Sequence, residues 1–235
     1  MLLVGFISFL NTGPFALFRW EALFKDLPVF MKSFGYTIVL SIGAILLAFI
    51  IGLLFGIVSQ AKNPVTRGLV RIYVEFFQNT PLLIQVFFVY YGLPLVGVVM
   101  PVYLIGIICV GLYHGAYISE VVRSGIGSIP RGQLEAAMSQ GFTYWKAMGY
   151  VVLPQAWRVM LPPLTNQAVN LIKNTSVIAI ISGADIMFTA NSWSSVNLHY
   201  IPAFAFAAIL YFILCFPLAS VARKLEEKNK KLYSK

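Results

Sequence analysis

Glu135-Ala136-Ala137-Met138-Ser139-Gln140-Gly141, followed by Val151-Val152-Leu153-Pro154, is a short polar stretch inside an otherwise very apolar chain. Apolar residues recur at Leu134, Ala137/Met138, Gly141/Phe142, Trp145 and Met148, a helical spacing. Gln133, Glu135, Ser139/Gln140, Thr143 and Lys146 fill the other face. Such a helix can lay one side on its own protein and offer the other to a partner. A helix resting on lipid headgroups has the same pattern, so periodicity alone does not choose between them.

The rest of the chain supplies the setting. Of 235 residues, 59% are hydrophobic and only 11% are charged, with a mean hydropathy of +0.82. That composition belongs to integral membrane proteins, and one membrane domain is the expectation for this length. Cys109 and Cys215 lie in apolar runs without metal-ligand or redox spacing and read as small core hydrophobes. The net charge of +9 raises nucleic acid as a partner, but the distribution of the basic residues points to a membrane instead.

Apolar stretches of about 20 residues predict five spans, near 34–58, 69–91, 102–122, 161–181 and 203–221. Gln78-Asn79-Thr80-Pro81 interrupts the second. Pro81 frees a carbonyl one turn earlier, and Asn79 or Thr80 is placed to satisfy it. The loop after the first span carries Lys62, Arg67 and Arg71; the connection around 123–158 carries Arg123, Arg131, Lys146 and Arg158. The tail from 222 to 235 carries Arg223, Lys224, Lys228, Lys230, Lys231 and Lys235. These regions share one side of a five-span arrangement and hold 13 of the 17 Lys and Arg, which predicts that they are cytoplasmic. Residues 1–33 then form an extracytoplasmic or interfacial segment; the alternative, a sixth irregular span within residues 1–18, puts the N-terminus inside and leaves the remaining topology unchanged. Leu2–Leu10 lacks the basic start and cleavage site of a signal peptide, and Asn11-Thr12-Gly13-Pro14 breaks the run.

Polar side chains inside spans are costly, about 3 kcal/mol for a charge on insertion scales, and line cavities or meet partners. Asn166, Asn170 and Lys173/Asn174 make one stripe on the fourth span. Glu75, Gln78/Asn79 and Gln85 mark the second, and Tyr113, Tyr117 and Glu120 the third. Together they predict a hydrophilic route, with interhelical hydrogen bonding as the plainer reading of any single Asn or Gln but not of Lys173. Glu120 and Arg123, near the cytoplasmic end, are explained by local pairing. No Gly-rich phosphate loop is present, His114 and His199 lack metal-pair spacing, and Ser119 and Ser124 have no His partner in the sequence. Energy must therefore come from an ion gradient or another subunit.

Glu135-Ala136-Ala137, three residues, Gly141, nine residues, Val151, one residue and Leu153-Pro154 resembles the EAA loop of ABC importer permeases, with Val151 where isoleucine is typical. Glu75-Phe76-Phe77-Gln78-Asn79-Thr80-Pro81-Leu82-Leu83-Ile84-Gln85 is similar to the second-span signature of the polar amino acid subfamily. So are Gly115-Ala116-Tyr117-Ile118-Ser119-Glu120-Val121-Val122-Arg123, Ile129-Pro130-Arg131-Gly132-Gln133 and Ile172-Lys173-Asn174-Thr175-Ser176. Gln78 stands where that subfamily commonly has Arg, and Ser119 where Ala is frequent. The resemblance implies the all-α, five-helix core of a type I importer permease with a cytoplasmic coupling helix in a bacterial plasma membrane. It implies a second permease subunit, two ATPases that bind ATP and Mg, and an extracytoplasmic solute-binding protein; this chain would hold no cofactor or metal and catalyse nothing. Gln133, Glu135, Ala136, Ala137 and Gly141 would couple to the ATPase. Gln78, Asn79, Thr80, Gln85, Tyr117, Glu120, Asn170, Lys173, Asn174 and Ser176 are the candidates for the route of a polar amino acid. An ion-coupled carrier using Glu75, Glu120, Lys173 or Asp185 is the competing class, and it leaves the amphipathic helix without a purpose.

Overall fold

A computed structural model describes residue 13, residues 16–61 and residues 63–233, with side chains to 228. The run Leu2–Leu10, Asn11-Thr12, Pro14, Lys62 and Lys235 lie outside the described residues, as do the side chains of Lys230 and Lys231. The described residues are almost entirely helical. A short helix α1 (Leu17–Lys25) turns at Asp26 into α2 (Leu27–Val58). The bent pair α3 (Pro64–Asn79) and α4 (Leu82–Phe87) comes next, α4 running on through a π turn at Phe88–Gly92. Helix α5 spans Val102–Gly127, and α6 (Arg131–Ser139) and α7 (Tyr144–Ala147) form a hairpin beyond its end. Helix α8 (Leu153–Asn174) tightens into a 3-10 turn at Thr175–Ile181, and α9 (Ile186–Asn197) and α10 (Tyr200–Tyr233) close the chain.

Three helices, Leu27–Val58, Val102–Gly127 and Tyr200–Lys228, are long and apolar enough to cross a membrane singly. The count reaches five when Pro64–Asn79 with Leu82–Leu95, and Tyr144–Ile181 with Ile186–Asn197, are each taken as one bent span. The first span starts at Leu27 rather than near 34, because Pro28 favours a helix start and Asp26 is anchored by the Trp193 indole N–H at 2.7 Å. The last runs past 221, through a Lys/Glu/Leu tail of good helix formers.

The centre is the pair α2–α5. Ala44, Ala48, Gly52 and Gly56 lie four residues apart along one face of α2, and all are buried. A Cβ on Gly52 would stand 2.3 Å from Ile118 Cγ2, and one on Gly56 2.5 Å from Val122 Cβ, so small residues set how close the backbones come. The opposite face of α2 exposes Val39, Ile42, Leu46, Ile50 and Leu54, a continuous apolar stripe. Helix α3 is stitched to α5 by side chains donating to carbonyls: Tyr73 Oη to Leu112 O at 2.7 Å and Gln78 Nε2 to Ala116 O at 3.3 Å. A second apolar cluster joins Leu23 and Phe30 to Ile186, Ala190, Trp193, Ala203, Ala207 and Leu210.

Both broken spans have identifiable causes. The α3–α4 axes bend by 103°. Pro81 has no N–H for the carbonyl of Phe77, and Gln85 Nε2 donates to it instead at 3.2 Å. The same amide donates to Thr80 O and Oγ1 at 3.1 and 2.8 Å. The expected repair by Asn79 or Thr80 is corrected here: these donate to Glu75 O and Phe76 O, one turn back from themselves. The bend also divides the predicted stripe from Glu75 to Gln85, since Gln85 folds inward over the break.

The second break, with a 45° bend, lies in a stretch for which the sequence reading assigned no helix. Ser182 and Ala184 adopt left-handed backbone, φ 62° and 47°. Asp185, fully buried, caps α9 by accepting from Phe188 N at 3.0 Å and Met187 N at 3.2 Å. Tyr211 Oη donates to the same carboxyl at 3.0 Å, and Ile186 N donates to Thr37 Oγ1 of α2 at 3.1 Å.

Candidate functional site: a polar cavity and an exposed hairpin

The polar residues selected from the sequence fall into four places. Tyr117, Asn170, Lys173 and Asn174 come together at a cavity of about 390 Å³ between the middle of α5 and the C-terminal end of α8. Gln78 and Glu120 line a larger one, about 690 Å³, between α3 and α5. Asn79, Thr80 and Gln85 sit at the α3–α4 break, spent on its carbonyls. Ser176 lies beside Lys173 at a third, less polar hollow with Tyr211, its hydroxyl donating to Lys173 O at 2.7 Å.

The two main cavities differ in chemistry. The larger is bordered by Arg71–Glu75 and Arg123–Glu120, pairs formed within single helix turns and exposed to solvent. Arg123 Nε meets Glu120 Oε2 at 2.8 Å, the local pairing the sequence suggested. Exposed pairs of this kind contribute little to stability. In the smaller cavity polar groups converge from two helices. Tyr113 and Tyr117 hydroxyls lie 3.2 Å apart. His114, 2% exposed, stands 3.2 Å from Gln167 Oε1 through Nδ1 and 3.0 Å from Asn174 Nδ2 through Nε2. Lys173 is exposed at its edge, with no carboxylate among the lining residues. A concave site with a few convergent polar groups and one unneutralised charge suits a small polar solute.

His114 and Gln167 were not singled out from the sequence as cavity residues. The signal existed: Gln167, Asn170 and Asn174 are spaced i, i+3, i+7, as are His114, Tyr117 and Val121 on the facing helix. Asn166, by contrast, turns away and donates to Glu226 Oε1 of α10 at 3.0 Å.

The hairpin α6–α7 is built locally. Helix α6 ends in a Schellman motif, Phe142 N donating to Ala137 O at 3.2 Å and Gly141 N to Met138 O at 3.0 Å. That closure needs the positive φ of Gly141, +89°. No atom lies within 4 Å of a Cβ built there, so backbone conformation, not space, selects glycine. Thr143 Oγ1 then caps α7, accepting from Lys146 N at 3.4 Å. Ala137 is buried, whereas Gln133, Glu135 and Ala136 are exposed. Met138, Trp145 and Tyr150 add apolar surface, the last two at 69% and 75% exposure.

Comparisons with known proteins bear on the family and the fold. Residues 48–231 match the family described as "Binding-protein-dependent transport system inner membrane component". The chain is 36% identical over 211 residues to the Bacillus subtilis "Probable glutamine ABC transporter permease protein GlnM", covering 90% of this chain and 98% of the relative. It is 35% identical over 227 residues to the "L-cystine transport system permease protein TcyB" of the same organism, covering 94% and 97%. Among solved structures, "Crystal structure of an amino acid ABC transporter with histidines" superposes with a TM-score of 0.82 at 28% identity, over 89% of this chain and 98% of that one. An inward-facing structure of the MetNI methionine ABC transporter shares the fold, with a TM-score of 0.69 at 16% identity over 86% and 98%. The all-helical, twice-broken bundle with its exposed terminal hairpin is the type I importer permease fold, and the chain belongs to the family of binding-protein-dependent transport system inner membrane components.

Proposed function

We propose that this chain is the permease subunit of an ATP-driven importer for polar amino acids. It works beside a second permease subunit, same or different, on two ABC ATPases that hold ATP and Mg, and takes solute from an extracytoplasmic binding protein. The observation that carries the reading is the hairpin at Arg131–Ala147. It is rigid by its own hydrogen bonds and buries Ala137, yet shows Gln133, Glu135, Ala136 and Trp145 outward. A free amphipathic helix lying on lipid would not need a locked exit; a lever pushed by a neighbouring subunit does. On this reading the hairpin and the C-terminal end of α10 are cytoplasmic, which the clustering of basic residues supports, and the exposed stripe of α2 faces lipid.

Nucleotide-driven closure of the ATPases draws paired hairpins together and shifts a bundle with two arrangements from one to the other. The cavity between α5 and α8 receives the solute, with Lys173 holding its α-carboxylate. The names of the curated relatives, glutamine and cystine among them, support an amino acid as that solute.

Gly141→Trp tests the lever. A side chain at φ +89° disrupts the Schellman closure, so ATP-driven uptake by reconstituted vesicles should fall at least about tenfold, a loss of about 1.4 kcal/mol in effective coupling. The complex should keep its yield and its basal ATP hydrolysis. Normal uptake by this variant would remove the coupling role, and uptake driven by an ion gradient through the permease alone would replace it with the carrier reading.

A further inference from the structure

The contacts of His114 decide more than its own position. An amide oxygen only accepts, so the Gln167 Oε1 contact requires a hydrogen on Nδ1. An amide nitrogen only donates, so the Asn174 Nδ2 contact requires a lone pair on Nε2. Both are met by one species, the neutral ring with its hydrogen on Nδ1. The consequence passes to the two amides. Gln167 spends its oxygen on the ring and keeps its NH2 for the cavity; Asn174 spends its NH2 and keeps its oxygen. Neither remaining group hydrogen-bonds a described residue, neither is sealed from solvent, and both residues line the cavity.

We infer that His114 is a positioning residue that fixes the hydrogen-bond polarity of this cavity, one donor at Gln167 and one acceptor at Asn174, and so selects a solute bearing a carboxamide. The inference rests on the cavity being the solute's site. A carboxamide offers an oxygen to Gln167 and an NH2 to Asn174. A carboxylate can only accept and sets an oxygen against Asn174 Oδ1. An ammonium or guanidinium can only donate, sets N–H against the Gln167 NH2, and meets the Lys173 charge with no carboxylate nearby. Sites that hydrogen-bond a group in this way reject analogues lacking it, because buried polar groups are then left unpaired. Without the ring, each amide can turn over and serve either polarity, and the distinction between amide and acid is lost.

The test uses the purified permease–ATPase complex without any binding protein, so that selection by the permease alone is read. Binding of radiolabelled glutamine is measured, with competition by glutamate and by arginine. The intact complex should prefer glutamine over each competitor by about tenfold or more. His114→Phe should reduce the glutamine-to-glutamate ratio to within about threefold, and Asn174→Leu, at a half-buried position where folding is less at risk, should do the same. The double variant should show no further loss, because both changes remove one shared device. An unchanged ratio, or equal weakening of all three amino acids, would overturn the role of His114 and leave the cavity assignment standing. Failure of the intact complex to bind any of the three would instead remove the cavity assignment and the inference with it.

Discussion

Two helix pairs of this protein bend at short breaks, and the breaks are held by different means. The α3–α4 break is repaired from within: Gln85 reaches back five to eight residues and replaces the donor that Pro81 lacks. The break before α9 is capped locally by Asp185 and is also held from outside, by Thr37 of α2 and Tyr211 of α10, 149 and 26 residues from the groups they bond. The first is therefore a self-contained corner that α3 and α4 can carry with them as they move. The second is a joint between bodies, tying the small-residue core around α2–α5 to the cluster formed by Phe30, Trp193 and Leu210. A local repair survives rearrangement of its surroundings, whereas a distributed one reports on them.

Asp185→Ala should have the largest effect. It strips the acceptor from Met187 N, Phe188 N and Tyr211 Oη in a fully buried place, a loss of about 3 kcal/mol or more. Thermal unfolding of the purified complex should show a clear drop, with Asp185→Asn recovering part of it. Gln85→Leu should be milder, about 1–2 kcal/mol in the same assay. It leaves Phe77 O and Thr80 O without their donor, but it also removes Gln85 Oε1, a buried oxygen with no partner of its own. A larger loss from Gln85→Leu than from Asp185→Ala would erase the distinction between local and distributed repair. Ser182→Gly should be the smallest and of opposite sign. Relief of left-handed backbone at φ 62° should raise the melting temperature by an amount worth up to about 1 kcal/mol. A drop there would mean that the serine side chain holds the joint.

The same contrast governs what could be read from the sequence. The hairpin was legible in part: the turn at Gly141 follows from local sequence, but the helical spacing from Leu134 to Met148 runs through a break at Gln140–Thr143, where Thr143 caps a separate short helix. The position of the first break was legible from Pro81, but not its latch, since nothing local distinguishes Gln85 from Asn79 or Thr80. The second break was missed. Asp185 before Ile186-Met187-Phe188 was a readable helix cap, but the left-handed residues beside it are Ser182 and Ala184 rather than glycine. Gly183 between them is there for space: a Cβ would stand 2.2 Å from Ile178 Cγ2. The cavity was half legible. Tyr117, Asn170, Lys173 and Asn174 announced themselves as polar residues in apolar spans. His114 and Gln167 acquire their roles only when chain segments 53 and 60 residues apart meet.

Pro162 and Pro163 sit together inside α8, between the hairpin that would be pushed and the cavity that would respond. Neither can donate, so the carbonyls of Arg158 and Val159 receive no helical bond from them, and Arg158 and Val159 border a hollow of about 510 Å³. Bending a helix elsewhere means stretching rungs of its ladder; here two rungs are already missing. Mechanically, α8 is a stiff rod with one compliant section. A thrust delivered at Leu153 would be converted there into a swing of the Gln167–Asn174 segment, because the compliance of α8 is concentrated in about one turn.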